Sequence, residues 1–141
     1  MACGGCSFVF FLNPKLVAGT LPMVDGRLLL IRRAIAPSLG KWTFPGGFVE
    51  WGEPVEEAAI RETREEANIE VALDGLHGVY SYSGEPTAIV VYRARIVSGN
   101  PSPSLEVQEV HFVTPEEIPW ESLAFPSTRD VLRDWVARRE Q

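Results

Sequence analysis

Apolar and polar positions alternate along the chain in short runs that predict mostly β-strands. Apolar-rich runs at residues 16–24 and 27–33 are separated by Asp25-Gly26, a dipeptide typical of a two-residue hairpin turn. The remaining runs predict short strands at 42–44, 75–83, 87–97 and 106–113, and a helical turn at 115–118.

Two longer segments have the residue spacing of helices. Residues 54–67 are rich in Ala, Glu and Arg and begin with Pro54, which is tolerated in a first helical turn. Residues 127–139 predict a C-terminal amphipathic helix, capped by Ser127 or Thr128. Its predicted inner face consists of Val131, Leu132, Trp135 and Val136. This order of elements predicts an α/β fold, with helices on both sides of a mixed sheet.

Length and composition indicate one globular domain. The chain has 141 residues, of which 45% are hydrophobic and 23% charged. Its net charge of −6 argues against binding to nucleic acid, which needs a basic surface. No apolar run approaches the length of a membrane span, and the apolar run at 7–12 has no basic segment before it. We therefore expect no membrane contact, no signal peptide and a cytoplasmic location.

The most informative segment is the predicted helix at 54–67. Three of its glutamates are related by i, i+3 and i, i+4 spacing: Glu62, Glu65 and Glu66. That spacing crowds the three carboxylates on one face of a helix. Clustered oxygen ligands are what a hard divalent cation such as Mg²⁺ requires. A solvated face, with ordinary ion pairs of Arg61 to Glu57 and Glu65, is the alternative for such a run taken alone.

A fixed spacing to the preceding glycines favours the metal-binding interpretation. The chain resembles the Nudix box, written G-x5-E-x7-R-E-U-x-E-E-x-G-U with U an apolar residue. The matching residues are Gly47, Glu53, Arg61, Glu62, Glu65, Glu66 and Ile69. Thr63 stands where an aliphatic residue is usual, and we expect it to weaken packing beneath the helix. Asn68 stands where glycine is usual, but asparagine also adopts the left-handed conformation that ends a helix.

The resemblance implies a Nudix-type α/β/α sandwich and a hydrolase that depends on Mg²⁺, with Mn²⁺ as the alternative metal. It implies that Glu62 and Glu66 are the core metal ligands, and that Glu65 is a third ligand or the base. The backbone carbonyl of Gly46 would complete the ligand set.

Further site residues follow from the same resemblance. Arg61 would pair with Glu53 and fix the glycine loop against the helix. Relatives often add a glutamate from a distant loop; Glu106 and Glu109 are the candidates, and Glu106 is slightly favoured. Each of the two is alternatively a surface residue on a strand.

Substrate contacts are predicted around the glycine pair, with Gly47 itself close to the substrate. Arg32 or Arg33 would bind phosphate through the guanidinium fork, although a solvated strand end is the alternative. Trp42 and Trp51 are candidates for stacking on a nucleobase, and core packing is the alternative for such aromatic residues.

Beyond the box, residues 13–53 and the segment ESLAFPST at 121–128 resemble the pyrophosphatases of NADH, FAD and ADP-ribose. Hydrolysis of a nucleoside diphosphate linked to another group would release AMP. The Ser-Gln-Pro-Trp-Pro-Phe-Pro signature of the NADH-preferring enzymes does not follow the box. Nucleoside triphosphate pyrophosphohydrolysis is the alternative reaction, and a nucleotide-sensing module without catalysis is the third hypothesis.

Residues 1–12 are predicted to precede the Nudix domain, which would span 13–141. Cys3 and Cys6 form one C-x-x-C pair at the place of the second half of a zinc ribbon in this branch. One such pair provides two ligands where structural zinc takes four. We therefore expect no zinc, unless one ion is shared between the two chains of a homodimer.

Overall fold

The computed structural model describes residues 13–139. Its elements in chain order are β1 (Lys15–Val24), β2 (Arg27–Arg33), β3 (Trp42–Thr43), β4 (Gly46–Phe48), α1 (Val55–Ala67), β5 (Glu70–Ser81), β6 (Thr87–Ser98), β7 (Val107–Val113) and α2 (Pro126–Arg139), with 3-10 turns at Pro115–Glu117 and Trp120–Ser122. Every predicted strand and helix is present. The predicted C-x-x-C site lies outside the described residues.

Within the described residues, seven strands form one sheet, which is mixed as predicted, although β4 was not among the six predicted strands. The main path runs β3-β2-β1-β6-β5, while β4 pairs with β1 and β7 pairs with β2. The β1–β6 pair is parallel and the other pairs are antiparallel. At the predicted hairpin, Asp25 and Gly26 both have positive φ angles, of 49° and 76°, as a two-residue turn between twisted strands requires. Within residues 13–139, no helix is both long and apolar enough to cross a membrane.

The two helices cover opposite faces of the sheet. Leu28 and Leu30 of β2 pack in one apolar cluster with α2. Leu29 and Ile31, which alternate with them, pack in a second cluster with Ala67 of α1. Successive strand residues point to opposite faces, so the sheet is sandwiched between α1 and α2. The predicted α/β/α architecture is confirmed.

The predicted inner face of α2 is confirmed, but its predicted cap is wrong. Val131, Leu132 and Trp135 are buried. Helix α2 begins at Pro126, so Ser127 and Thr128 lie inside its first turn. Both are buried, and the Thr128 hydroxyl lies 2.9 Å from that of Thr43. Proline starts the helix because its fixed φ and missing N–H suit a first turn.

Helix α1 ends as predicted at Asn68, whose φ and ψ are 59° and 36°. Thr63 is fully buried in the middle of this helix. Its hydroxyl oxygen lies 2.7 Å from that of Thr20 on β1 and donates to the Ala59 carbonyl at 2.8 Å. Thr63 was expected to weaken packing beneath the helix. The Thr20 hydroxyl instead gives the buried Thr63 hydroxyl a hydrogen-bond partner.

Candidate active site

The glycine pair lies in strand β4, although the sequence pattern placed it in a loop. Pairing with β1, in which Gly47 lies opposite Ala18 and Gly46 opposite Gly19, holds the two glycines against the end of α1. The Gly46 N–H donates to Glu66 Oε1 at 2.7 Å. A Cβ atom on Gly47 would collide with the carboxylate of Glu62. A larger residue at position 47 would therefore displace the Glu62 carboxylate from the backbone of β4.

Arg61 lies at the centre of the acidic groups. Its Nε and Nη2 donate to the two carboxylate oxygens of Glu53 at 2.7 and 2.9 Å, which gives the predicted pair a bidentate geometry. Nη2 also donates to the Phe48 carbonyl at 3.1 Å, and Nη1 to Glu62 at 2.9 Å. The contact to Glu65 is longer, at 3.2 Å. The Arg61 side chain is only 19% exposed, so it is not part of a solvated face. Its contacts to Phe48 and to Glu62 link β4 to α1.

This linkage shifts the ionisation of Glu53. Hydrogen bonds from Arg61, and secondarily from the Glu50 backbone N–H, lower the pKa of Glu53 to about 2. The same contact to Glu53 raises the pKa of Arg61. Glu53 and Arg61 therefore remain charged at neutral pH.

The pKa values of Glu62 and Glu66 are raised, unlike that of Glu53. Glu66 is only 7% exposed, and burial raises its pKa to about 8, against the hydrogen bond from the Gly46 N–H. The charges of Glu62 and Glu106 raise the pKa of Glu66 further. Burial also raises the pKa of Glu62, although Arg61 opposes this. Burial therefore disfavours the charged forms of Glu62 and Glu66, and a bound cation would favour them.

The donor set fits a hard divalent cation. Carboxylate oxygens and backbone carbonyls are the ligands that Mg²⁺ and Mn²⁺ take, with water and substrate in the remaining positions. Across residues 13–139, no three carboxylate, imidazole or thiol groups enclose a metal position as the side chains stand.

Of Glu106 and Glu109, only Glu106 lies beside helix α1. An open cavity of about 290 Å³ is lined by Glu65, Glu66, Ser104, Leu105 and Glu106. Glu109 points instead to Arg32, with 3.4 Å between its Oε1 and the arginine Nη1. The slight preference for Glu106 therefore agrees with its position.

The two predicted phosphate-binding arginines differ in their surroundings. Arg32 donates from Nε to the Gly40 carbonyl at 3.0 Å and contacts Glu109. Arg33 donates to the Pro37 carbonyl at 2.7 Å, and its guanidinium lies 5.1 Å from the centre of the Phe125 ring. The charge of Arg33 also lowers the pKa of Glu66, against the larger effect of burial, but the contacts of its guanidinium are to Pro37 and Phe125 and not to a carboxylate.

The two candidate tryptophans differ in their exposure to solvent. Trp42 is half-buried beside the core under α2, and its ring meets that of His111 edge-on at 6.4 Å. Trp51 lies in the turn between β4 and α1 and is fully exposed. Core packing, the alternative for such aromatics, thus applies to Trp42, whereas Trp51 has its ring faces open to a ligand.

Residues that the sequence analysis did not single out connect this site to the rest of the fold. Ser104 donates its hydroxyl to the Glu66 carbonyl at 2.9 Å, and Thr20 supports the middle of α1. The segment around residue 100 is rich in Gly, Pro and Ser, a composition that indicates a loop but no particular contact. Side-chain contacts of such a loop depend on which element lies beside it.

Residues 14–135 match the sequence model of the NUDIX domain family. This match includes the glycine strand, the three carboxylates of α1 and Glu106. The chain belongs to the Nudix family. The resemblance of the box, first noted from spacing, is thereby confirmed over nearly the whole domain.

Curated relatives have different named activities. A MutT-like protein of Streptomyces ambofaciens is 39% identical over 72% of this chain and 64% of its own length. An ADP-ribose pyrophosphatase of Methanocaldococcus jannaschii is 30% identical over 89% of this chain and 75% of its own length. An oxidized purine nucleoside triphosphate hydrolase of Danio rerio is 34% identical over 70% of this chain and 65% of its own length. The chain thus spans less than two thirds of the length of the first and third of these relatives.

Solved structures have the same fold. A NUDIX hydrolase from Nitrosomonas europaea superimposes with a TM-score of 0.92 at 37% identity, and the match covers 99% of this chain and 79% of that one. The arrangement of strands and helices around the carboxylates is therefore that of a Nudix hydrolase domain.

Proposed function

We propose that this protein hydrolyses the pyrophosphate bond of a nucleoside diphosphate linked to another group, of the ADP-ribose, NADH or FAD type, and releases AMP in a Mg²⁺-dependent reaction. One observation carries the proposal: Glu66 and Glu106 line one cavity beside Glu62, and burial disfavours the charged forms of Glu62 and Glu66 unless a cation is bound there. An anionic pyrophosphate can approach such a group only when a cation lies between them. The similarity to an ADP-ribose pyrophosphatase supports this substrate class.

The residues present suggest a division of roles. Glu62, Glu66 and the Gly46 carbonyl would hold the divalent cation, with Glu106 completing the set from the opposite loop. When bound, such a cation neutralises phosphate oxygens and lowers the pKa of a coordinated water. Gly47 would keep the Glu62 carboxylate close to the backbone of β4 beside the bound substrate, since it has no side chain.

Glu65 is the proposed base, with a place among the metal ligands as the alternative. Its side chain is 56% exposed and is held by Arg61 at 3.2 Å. An exposed carboxylate beside the cavity can accept a proton from an attacking water. Arg61, through its contacts to Glu53, Glu62 and Glu65, would orient these carboxylates, and Arg33 would add positive charge beside the phosphates.

Product analysis tests this proposal. The purified protein is incubated with ADP-ribose, NADH, FAD and nucleoside triphosphates, in Mg²⁺ or Mn²⁺, and products are identified by mass. The expected result is AMP together with the second monophosphate from at least one of the first three. The Glu66→Gln protein is the control for contaminating hydrolases. Turnover of nucleoside triphosphates alone would contradict the proposal.

Nucleoside triphosphate pyrophosphohydrolysis is a second candidate, favoured by the similarity to the Danio rerio hydrolase. It differs in its products, since it releases pyrophosphate and a nucleoside monophosphate. A nucleotide-sensing module would bind members of the same panel without turnover. Calorimetry on the Glu66→Gln protein then separates binding from hydrolysis.

A further inference from the structure

Asn68 departs from the Nudix box and has contacts that a glycine there lacks. The two hydrogens of its Nδ2 are shared among three oxygens, the Ser102 carbonyl at 3.2 Å, the Ser102 hydroxyl at 3.0 Å and the Pro103 carbonyl at 2.9 Å. Its backbone meanwhile adopts the left-handed conformation that ends α1. The residue therefore does two things, since its backbone ends the helix and its side chain binds a loop far along the chain.

The loop it binds is the one that presents Glu106, and residues 101–106 are called the Glu106 loop below. Two more hydrogen bonds attach this loop to the same end of α1, from the Ser102 N–H to the Ala67 carbonyl at 3.0 Å and from the Ser104 hydroxyl to the Glu66 carbonyl at 2.9 Å. These anchors join the base of the Glu106 loop to residues 66–68, while the Ala34 N–H donates to the Glu106 carbonyl at 2.8 Å from the other side. The carboxylate of Glu66 and the loop that presents Glu106 thus share one attachment.

The tip of the Glu106 loop has little packing of its own. Leu105 is almost fully exposed and Glu106 is exposed. Mutual backbone hydrogen bonds between Ser104 and Val107 close the tip, at 3.0 and 3.3 Å. A tip with so little apolar burial takes its position from hydrogen bonds, namely that of the Ala34 N–H to the Glu106 carbonyl and the anchors at its base, to which Asn68 contributes its side-chain amide.

We propose that Asn68 is a positioning residue, which holds the Glu106 loop so that the Glu106 carboxylate faces Glu66 across the cavity. Glycine at this position would permit the same left-handed turn but would provide no donor to the loop. The expected effect on the Mg²⁺ requirement rests on the proposed function, whereas the position of the Glu106 loop does not depend on it. The two are tested separately.

Hydrogen exchange tests the positioning. We compare the wild type with Asn68→Gly and Asn68→Asp, which both remove the donors and tolerate the left-handed conformation. The backbone amides of Ser102, Ser104 and Val107 should exchange roughly tenfold faster in both variants, because the openings of the loop become more frequent. The control is Asn100→Gly, the same change at an exposed asparagine next to the loop, which should alter these amides much less. Unchanged exchange in the Asn68 variants would overturn the proposal, whatever the activity.

The metal requirement tests the link to Glu106. Asn68→Gly should raise the Mg²⁺ concentration for half-maximal hydrolysis roughly tenfold, as loss of a residue that orients a ligand does, with a melting temperature close to that of the wild type. In the Glu106→Gln background, Asn68→Gly should have no further effect, because the two changes act on one group. An equal increase in both backgrounds would overturn the role through Glu106. If the wild type hydrolyses none of the substrates, the proposed function fails, and the exchange experiment still decides the positioning.

Discussion

The two faces of the sheet pack against helices with different kinds of buried side chains. Under α1 the buried helix residues are small or polar: Ala58, Ala59, Thr63, Glu66 and Ala67. Under α2 the sheet meets Val131, Leu132 and Trp135, which extend a large apolar cluster. Small residues let α1 approach the backbone of β4 closely enough for carboxylates to contact the glycines. Helix α1 therefore buries smaller side chains than α2 does, and its carboxylates lie closer to the strand backbone.

Removing apolar volume under α2 should have the largest effect on stability. Leu132→Ala should lower the free energy of unfolding by about 2–5 kcal/mol, because Leu132 is fully buried and its loss leaves a cavity. Hydrolysis per folded molecule at low temperature should change little. Chemical denaturation measures the first and a kinetic assay the second. Leu76→Ala, at a leucine that is 51% exposed on β5, is the matched control and should be nearly neutral.

A change under α1 should instead lower activity and leave the fold intact. Glu66→Gln should lower kcat by roughly a hundredfold or more, since a proposed ligand charge is lost at almost constant shape. The fold should persist because an amide oxygen still accepts from the Gly46 N–H. Glu109→Gln, the same change at a carboxylate that faces Arg32, should stay within a few-fold of the wild type. Equal activity of the Glu66 variant and the wild type would remove Glu66 from the site.

The pH dependence of stability should also distinguish the two faces. The folded-state pKa of Glu66, about 8, is above the ordinary value of 4.5, so the folded protein binds the proton more tightly than the unfolded chain. Its contribution is therefore most favourable below the unfolded pKa and decreases as pH rises towards about 8. Metal-free protein should lose melting temperature between about pH 5 and about pH 9, and Glu66→Gln should lose less. Parallel pH profiles for the two proteins would contradict the assignment.

The smallest effect is expected for the threonine pair under α1. Thr63→Val should destabilise the protein by about 1 kcal/mol, because the Thr20 hydroxyl is left buried without its partner. The double variant Thr20→Val with Thr63→Val should recover most of this loss, since it removes both polar groups. Thermal denaturation of the two single variants and the double variant measures the coupling. Additive losses would show that the hydroxyl contact contributes nothing.

Local patterns predicted well what depends on local geometry. Periodicity identified the helix that aligns Glu62 and Glu66, because residues four apart on a helix always share a face. The Asp25-Gly26 pair predicted its hairpin for a similar reason, since positive φ angles at adjacent residues favour few residue types. Element boundaries were less accurate: β5 begins at Glu70 rather than at residue 75, since its first residues pair with β6 without a clear alternation.

The sequence by itself therefore determined the family, the sheet of predicted strands and the helix face that presents the carboxylates. Only the tertiary structure decided which distant residues join them. Glu106 and Glu109 are equivalent in the sequence pattern, yet the turn before β7 brings one to Glu66 and the strand turns the other to Arg32. Thr20 meets Thr63 across 43 residues in the same way. Contacts of this range depend on strand order and register, which no local pattern of side chains specifies.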